Sequence, residues 1–133
     1  DYAIACEAAE VKLSELAVGI GPFVVGPAVE RKIGLSAFSQ LTIDATMYRP
    51  ADWARKKGLF AELHKDIAGM DDAITRLSTT LSKSSTEALA EIKKIFWNGT
   101  EQWDVLLKER AAISGRLILS EYSKHFMASF KKK

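Results

Sequence analysis

The chain has 133 residues, the size of one domain, and 47% of its residues are hydrophobic while 27% are charged. This composition is typical of globular proteins that bury a core. A net charge of +2 is too small to favour nucleic acid as a partner. The longest apolar stretches, such as residues 16–20, are far shorter than the roughly 20 residues that cross a bilayer. No membrane partner is expected.

Cysteine and histidine are scarce. Cys6 has no second cysteine for an internal disulfide, and the sequence does not open on a secretion signal, so a reducing, cytoplasmic setting is expected. His64 and His125 are far apart and have no cysteine or carboxylate partners at the usual ligand spacing. No metal site is predicted.

The first 20 residues predict two short strands. Apolar and β-branched residues recur from Ile4 to Ile20, interrupted only by residues 7–10. Because the sequence opens directly on a strand pattern, we expect the chain to be part of a longer protein. Glycine and proline then crowd residues 19–27, which predicts a loop with unusual backbone angles.

Helices dominate the rest of the chain. A short helix is predicted over residues 28–33, ending at Gly34, and others follow over residues 37–45 and 51–57. Residues 59–64 predict a strand. From Gly69 onward the apolar spacing is helical and defines three faces, formed by Ile74, Leu77 and Leu81; by Leu89, Ile92, Ile95 and Phe96; and by Trp103, Leu106, Leu107, Ile113 and Leu117.

Two regions follow from this pattern. The strand-containing part, residues 1–68, predicts an α/β core segment, and residues 69–133 predict a helical region. The first helix of that region is expected to start at Asp71 and Asp72, and residues 98–100 are expected to form a turn between the last two helical faces.

Glu15 is the candidate catalytic residue. It precedes the apolar residues 16–20, at the point where a strand is expected to give way to the glycine-rich loop. A carboxyl group there would be partly desolvated, which disfavours its charged form and suits it to proton transfer. The alternative is a solvated glutamate at the end of a strand.

Several motifs, taken in order, resemble the enoyl-CoA hydratase/isomerase (crotonase) family. Residues 1–5 and 9–22 are similar to the family segment in which a strand after "CD" leads to "PE" and a "G-hydrophobic-x-P" loop. Residues 53–60 resemble its "A-x-x-x-GLV" step from helix to strand, and residues 120–130 resemble its closing helix. The resemblance covers essentially the whole chain and matches the C-terminal portion of such a protein.

This resemblance implies the fold and the partners. Residues 1–68 are expected to end a ClpP/crotonase-like β-β-α spiral core, and residues 69–133 to form the all-helical region that builds trimers in the family. The expected partners are an acyl-CoA substrate and further copies of the chain, in a trimer or a dimer of trimers, with the missing N-terminal half as a further candidate. No cofactor is expected beyond the coenzyme A of the substrate.

By the same resemblance, Glu15 matches the second of two catalytic glutamates, the one that acts as general acid at the α-carbon or positions water. Hydration of a 2-enoyl-CoA needs one proton delivered to the α-carbon and one removed from water. The thioester oxygen gains negative charge in an enolate-like transition state. Two backbone N–H groups must stabilise this charge by hydrogen bonds to the oxygen. In the family these groups and the other glutamate precede the segment that matches Asp1. The chain is therefore expected to carry part of the active site and to be inactive alone.

The resemblance also implies the substrate-binding residues, which are Gly21, Pro22, Phe23, Tyr122 and Lys124. Tyr122 matches the aromatic residue that contacts coenzyme A, and Lys124 or His125 supplies a cation for the nucleotide phosphates. Packing for Tyr122 and a solvated helix face for Lys124 are the alternatives.

Other functions stay open. Ser14 replaces the common proline, and residues 21–31 replace the usual "PGAGGTQRL", so the pocket is expected to differ in shape. Isomerase, decarboxylase and thioester hydrolase are therefore alternatives to hydration within the family. A non-catalytic helical assembly module is the alternative from another class, because the chain keeps all of the family's last helices.

Overall fold

The computed structural model describes residues 1–130, which form an α/β arrangement that is mostly helical. Its four strands are β1 (Ile4–Cys6), β2 (Glu10–Val11), β3 (Arg49–Pro50) and β4 (Glu62–His64). Its helices are α1 (Gly26–Ile43), α2 (Ala51–Lys56), α3 (Ile67–Ser82), α4 (Thr86–Phe96), α5 (Trp103–Ile118) and α6 (Glu121–Phe130). A single turn of 3-10 helix over Glu15–Val18, here called the Glu15 turn, lies between β2 and α1.

The strands form two separate pairs. β1 and β4 run parallel, with Ile4 opposite Glu62 and Cys6 opposite His64, so α1 and α2 lie in the connection that brings the chain back to the same sheet. β2 and β3 are antiparallel, with Val11 opposite Arg49. α3 packs against both β1 and β4, which attaches the helical region to the parallel pair.

The core lies on one face of α1. Ile33, Ala37 and Leu41 are buried in one cluster; Ile33 precedes the non-helical Gly34, and Ala37 and Leu41 lie four residues apart on the helical segment that follows it. Partly buried side chains of α1 itself and of the neighbouring segments pack around them, namely Val11, Leu13, Val29, Phe38, Trp53 and Leu59. This cluster holds α2 and the region around β2 against α1.

Gly34 interrupts α1 as the sequence predicted. Its backbone angles are φ 76° and ψ 159°, which are not helical, so the element is two helical segments joined by a kink. A positive φ of this kind favours glycine because it has no Cβ. The first segment begins at Gly26 rather than at residue 28, since Pro27 lacks the N–H that the first turn of a helix leaves unpaired.

The second predicted strand was wrong beyond Val11. β2 ends there because its partner β3 is only two residues long, and the chain then forms the Glu15 turn instead of continuing as a strand. The strand predicted over residues 59–64 is also shorter than expected. The Leu59 N–H donates to the carbonyl of Ala54 at 2.9 Å, so the chain is still bonded to α2 before β4 begins.

Side-chain caps set the starts of α3 and α4. Asp66 accepts a hydrogen bond from the Gly69 N–H at 2.9 Å, so α3 starts about one turn before the predicted Asp71. Ser85 accepts from the Ala88 N–H at 3.2 Å and caps α4. The predicted turn between α4 and α5 is present, with Gly99 at φ 84°. Within residues 1–130, no helix combines the length and apolar character that crossing a membrane requires.

Two indole rings join α4 and α5. Trp97 and Trp103 meet edge to face, with ring centroids 5.6 Å apart and planes at 84°. The Trp97 Nε1–H donates to Asp1 Oδ1 at 2.8 Å, and Lys93 lies 4.8 Å from the Trp97 ring centroid and pairs with Asp1. The connection between these helices is thereby attached to the residue that leads into β1.

Glu62 connects β4 with β1 and α3 through its carboxylate. Its Oε1 accepts hydrogen bonds from the Tyr2 hydroxyl and from Arg76 Nη2, both at 2.6 Å. His64 Nε2 lies 3.1 Å from its Oε2. The hydrogen bond from Tyr2, followed by that from Arg76, holds the pKa of the Glu62 carboxyl at about 2, below its ordinary value of 4.5.

We predict that Glu62→Gln lowers the free energy of unfolding at pH 7, because a neutral amide accepts these bonds more weakly. A pKa that is lowered in the folded state stabilises the protein above the ordinary value of 4.5, and this contribution is lost as the pH falls towards about 2. Urea denaturation between pH 7 and pH 2 should therefore show that the variant and the parent protein differ less in free energy of unfolding as the pH falls.

Glu91→Gln is the matched control, because Glu91 forms an exposed pair with Lys94 on one helix at 2.6 Å. Such pairs contribute little to stability. If Glu62→Gln lowered the free energy of unfolding by the same amount at every pH, or by the same amount as Glu91→Gln, the role assigned to Glu62 would be contradicted.

Candidate functional site

The Glu15 turn is shaped by the glycine that follows it. Gly19 has φ 85° and donates its N–H to the carbonyl of Leu16 at 3.1 Å. The Ile20 N–H donates to the carbonyl of Glu15, also at 3.1 Å. Glycine adopts a left-handed conformation without the clash of a Cβ, so the chain can close the turn directly behind Glu15.

The Glu15 side chain is partly buried, and one of its oxygens is unpaired. Oε2 is inaccessible to solvent and has no hydrogen-bond partner among residues 1–130. Burying a carboxyl oxygen without a donor is unfavourable, and most buried polar atoms are paired. This oxygen is therefore a buried acceptor that no structural hydrogen bond within residues 1–130 uses. Glu15 is at the start of a helical turn, and not at a strand end as predicted.

Helix α6 packs directly on this turn. A Cβ placed on Gly19 would lie 2.5 Å from Tyr122 Cδ1 and 2.6 Å from Ser123 Oγ. Ser123 is completely buried, and its hydroxyl donates to the carbonyl of Val18 at 2.9 Å. Sequence reasoning missed Ser123, because a serine inside an amphipathic helix carries no local sign that its hydroxyl is buried.

The loop after the turn packs against itself. The Phe23 N–H donates to the carbonyl of Gly21 at 2.7 Å, and a Cβ on Gly21 would lie 2.7 Å from Phe23 Cζ. Pro22 is buried, and its carbonyl accepts from the Gly26 N–H at 2.7 Å. The three predicted loop residues therefore form one compact segment, which the bond between Ile20 and Glu15 joins to the turn.

The two predicted residues of α6 differ in their surroundings. Tyr122 lies against Gly19, yet 62% of it is exposed, so it is available to a ligand beside the turn. Lys124 is exposed and pairs with Glu121 of the same helix at 2.8 Å. His125 is also exposed. The structure thus brings Tyr122, but not Lys124, into contact with the Glu15 turn.

A cavity of about 700 Å³ lies apart from the Glu15 turn, between the start of α1 and the end of α4. Arg31 lines it, and its Nη2 donates to the carbonyls of Phe96 at 2.6 Å and Asn98 at 2.8 Å, so this nitrogen is used in structural bonds. Within residues 1–130, no group of three or more potential metal ligands converges.

Comparison with known proteins rests on the structure. No protein-family model matches the sequence, and the comparison with curated proteins finds no match. Solved structures match closely. An enoyl-CoA hydratase from Mycobacterium avium superposes with a TM-score of 0.88 at 24% identity, covering 99% of this chain and 51% of that one.

Two further matches agree. An enoyl-CoA hydratase/isomerase from Pseudoalteromonas atlantica has a TM-score of 0.87 at 16% identity, with 99% of this chain and 53% of that chain covered. An enoyl-CoA hydratase from Bacillus halodurans has a TM-score of 0.85 at 19% identity, with 97% and 52% covered.

These matches define the class of fold. The chain has the fold of the C-terminal portion of a crotonase-type protein, as its motifs predicted, and it spans about half the length of the structures it matches. At these identities the likeness concerns the fold, and the chemistry must be argued from the residues themselves.

We predict that Gly19→Ala is strongly destabilising. A left-handed backbone costs a non-glycine residue about 1–2 kcal/mol, and forcing a methyl group into a packed contact adds about 1–3 kcal/mol. Gly99→Ala is the matched control, because Gly99 has φ 84° but no atom within 4 Å of its added Cβ. Urea denaturation should show the larger loss for Gly19→Ala. Equal losses would contradict the close packing of α6 on the turn.

Proposed function

We propose that this chain is part of an enzyme of the enoyl-CoA hydratase/isomerase family, and that the complete protein hydrates a 2-enoyl-CoA. The crotonase-type fold supports an acyl-CoA substrate, since the matched structures bear the names of enoyl-CoA hydratases and hydratase/isomerases. The observation that carries the proposal within this chain is the buried, unpaired Oε2 of Glu15.

Hydration adds the oxygen of water to the β-carbon and a proton to the α-carbon. We assign the delivery of that proton to Glu15, whose unpaired oxygen can hold and release it without breaking a structural hydrogen bond. By the family resemblance, the N–H groups that meet the enolate-like oxygen and the glutamate that acts on water lie outside this chain. The chain therefore contributes one side of the active site.

The substrate would lie along the loop and α6. In this proposal Gly21, Pro22 and Phe23 would form one wall of the site, and the exposed ring of Tyr122 would offer a surface for coenzyme A. To bind a phosphate, Lys124 would have to break its ion pair with Glu121. Breaking this pair costs little free energy, because an exposed ion pair contributes little to stability. The proposal includes no cofactor beyond coenzyme A, and the cytoplasmic setting stays a prediction.

Isomerase, decarboxylase and thioester hydrolase remain alternatives within the family. Isomerisation moves a proton between carbons and also needs a carboxyl group, whereas a reaction that depends on the oxyanion contacts alone would not need Glu15. In a non-catalytic assembly module, Glu15 would have no chemical role. The effect of changing Glu15 therefore separates these functions.

We further propose that the complete protein is a homo-oligomer, in line with the trimer that the resemblance implies. Large apolar side chains on α4 and α5 remain exposed, with Ile95 at 70% and Phe96 at 56% on α4 and Val105 at 55% on α5. Leu119, directly after α5, is 69% exposed. Apolar surface of this extent is a common mark of an interface with another chain.

Glu15→Gln in the complete protein tests the reaction. The amide keeps the size of the side chain but cannot exchange the proton, so turnover of a 2-enoyl-CoA should fall about 10²- to 10⁴-fold while KM changes little. Glu10→Gln is the control, because Glu10 is an exposed residue of the preceding strand. Near-full turnover in Glu15→Gln would show that Glu15 is structural.

Ile95→Lys tests the assembly. We expect the parent protein to sediment as an oligomer at micromolar concentration, and the variant to dissociate because it places a charge in an apolar interface. Glu91→Lys, an exposed change on the same helix, controls for charge. A monodisperse parent monomer in analytical ultracentrifugation would contradict the proposed oligomer.

A further inference from the structure

We infer that Ser123 is a positioning residue for Glu15, an inference that rests on the proposed function. Ser123 is a polar residue with 0% of its surface exposed, and its Oγ lies 2.9 Å from the carbonyl oxygen of Val18, which is 105 positions away in the sequence. Val18 ends the same 3-10 turn that Glu15 begins. A buried hydrogen bond from α6 thus reaches the turn that carries the proposed proton donor.

The hydroxyl of Ser123 also contacts α5 and the start of α6. Its Oγ lies 3.0 Å from the carbonyl oxygen of Leu117, in the last turn of α5, and 3.2 Å from Ser120 Oγ, which donates to it. The Ser120 hydroxyl in turn accepts from the Ser123 N–H at 3.3 Å. The hydroxyl of Ser123 has one proton, which it donates to the carbonyl of Val18 or to that of Leu117, so Ser123 lies at the buried point where α5, α6 and the Glu15 turn meet.

The backbone transmits this contact to Glu15. The Val18 carbonyl and the Gly19 N–H belong to one planar peptide group, and that N–H donates to the carbonyl of Leu16. The next N–H, of Ile20, donates to the carbonyl of Glu15. A shift of the Val18 carbonyl would therefore move the whole four-residue turn and the side chain of Glu15 with it.

Helix propensity does not favour the serine, although its hydroxyl also closes the junction of α5 and α6. Alanine has the higher helix propensity, and it would avoid the burial of a hydroxyl group. The bond from Ser123 to Val18 reaches outside the helix, whereas that of Ser129 on the same helix returns to the carbonyl of Phe126 at 2.6 Å. Ser129 is exposed, which makes Ser129→Ala a matched control.

The first measurement is hydrogen exchange of the complete protein, followed by mass spectrometry on peptides that cover residues 15–22. Ser123→Ala should speed exchange of the Gly19 and Ile20 amides, because the turn loses its contact with α6. Exchange in β1 and β4 should not change, which would show that the variant is folded. Ser129→Ala should leave all of these regions unchanged.

The second measurement is a kinetic cycle with a 2-enoyl-CoA. Ser123→Ala should lower kcat about 10- to 100-fold, the scale of a small misplacement of a catalytic group, and leave KM unchanged. In a Glu15→Gln background, Ser123→Ala should lower kcat little further, because both substitutions act on the same proton transfer by Glu15. A general loss of packing would instead lower kcat to the same extent in both backgrounds.

Three results would overturn the inference: unchanged exchange over residues 15–22, unchanged kcat in Ser123→Ala, or equal losses of kcat in both backgrounds. If Ser123→Ala does not fold, Ser123→Cys keeps nearly the same volume with a weaker donor and should change exchange and kcat in the same direction. A complete protein without any hydratase activity would refute the proposed function, and with it the positioning role, whereas faster exchange would still establish the contact.

Discussion

A parallel pairing of only three residues, Ile4–Cys6 with Glu62–His64, determines how the rest of the chain is arranged. Because parallel strands cannot be joined by a tight turn, the chain leaves the sheet and returns, and the connection supplies both the buried face of α1 and helix α2. Backbone bonds extend the pairing on either side, from Glu7 N–H to the His64 carbonyl and from Ala61 N–H to the Ala3 carbonyl. The packing of α3 and the contacts of Glu62 depend on this pair.

Local signals predicted the helical part of the fold well. Glycines that need a positive φ marked the kink at Gly34 and the turn at Gly99, since few other residues adopt that conformation. Features that depend on distant partners were missed. β3 is two residues long and exists only because β2 lies beside it, and the Glu15 turn replaces a predicted strand that had no neighbour to pair with.

The candidate site was also predictable only where local sequence determines it. The position of Glu15 between apolar residues indicated partial burial, and the structure places one of its oxygens out of solvent without a partner. A contact with the end of the same turn comes from α6, more than 100 positions along the chain, where Ser123 donates to the carbonyl of Val18. The burial of that hydroxyl has no signature in local sequence, because it depends on how α6 lies on the turn, whereas the pair of Lys124 with Glu121 is a local contact three residues apart on one helix.

The three tryptophans divide the molecule into optically distinct parts. Trp53 packs in the core around α1, with the Arg49 guanidinium 5.9 Å from its ring centroid, whereas Trp97 and Trp103 contact each other at the junction of α4 and α5. Edge-to-face indoles couple their electronic transitions, and the nearby Lys93 alters the field at Trp97. The coupled pair thus gives near-ultraviolet circular dichroism a signal from the helical junction, whereas the emission of the chain adds Trp53 of the core to both rings of the junction.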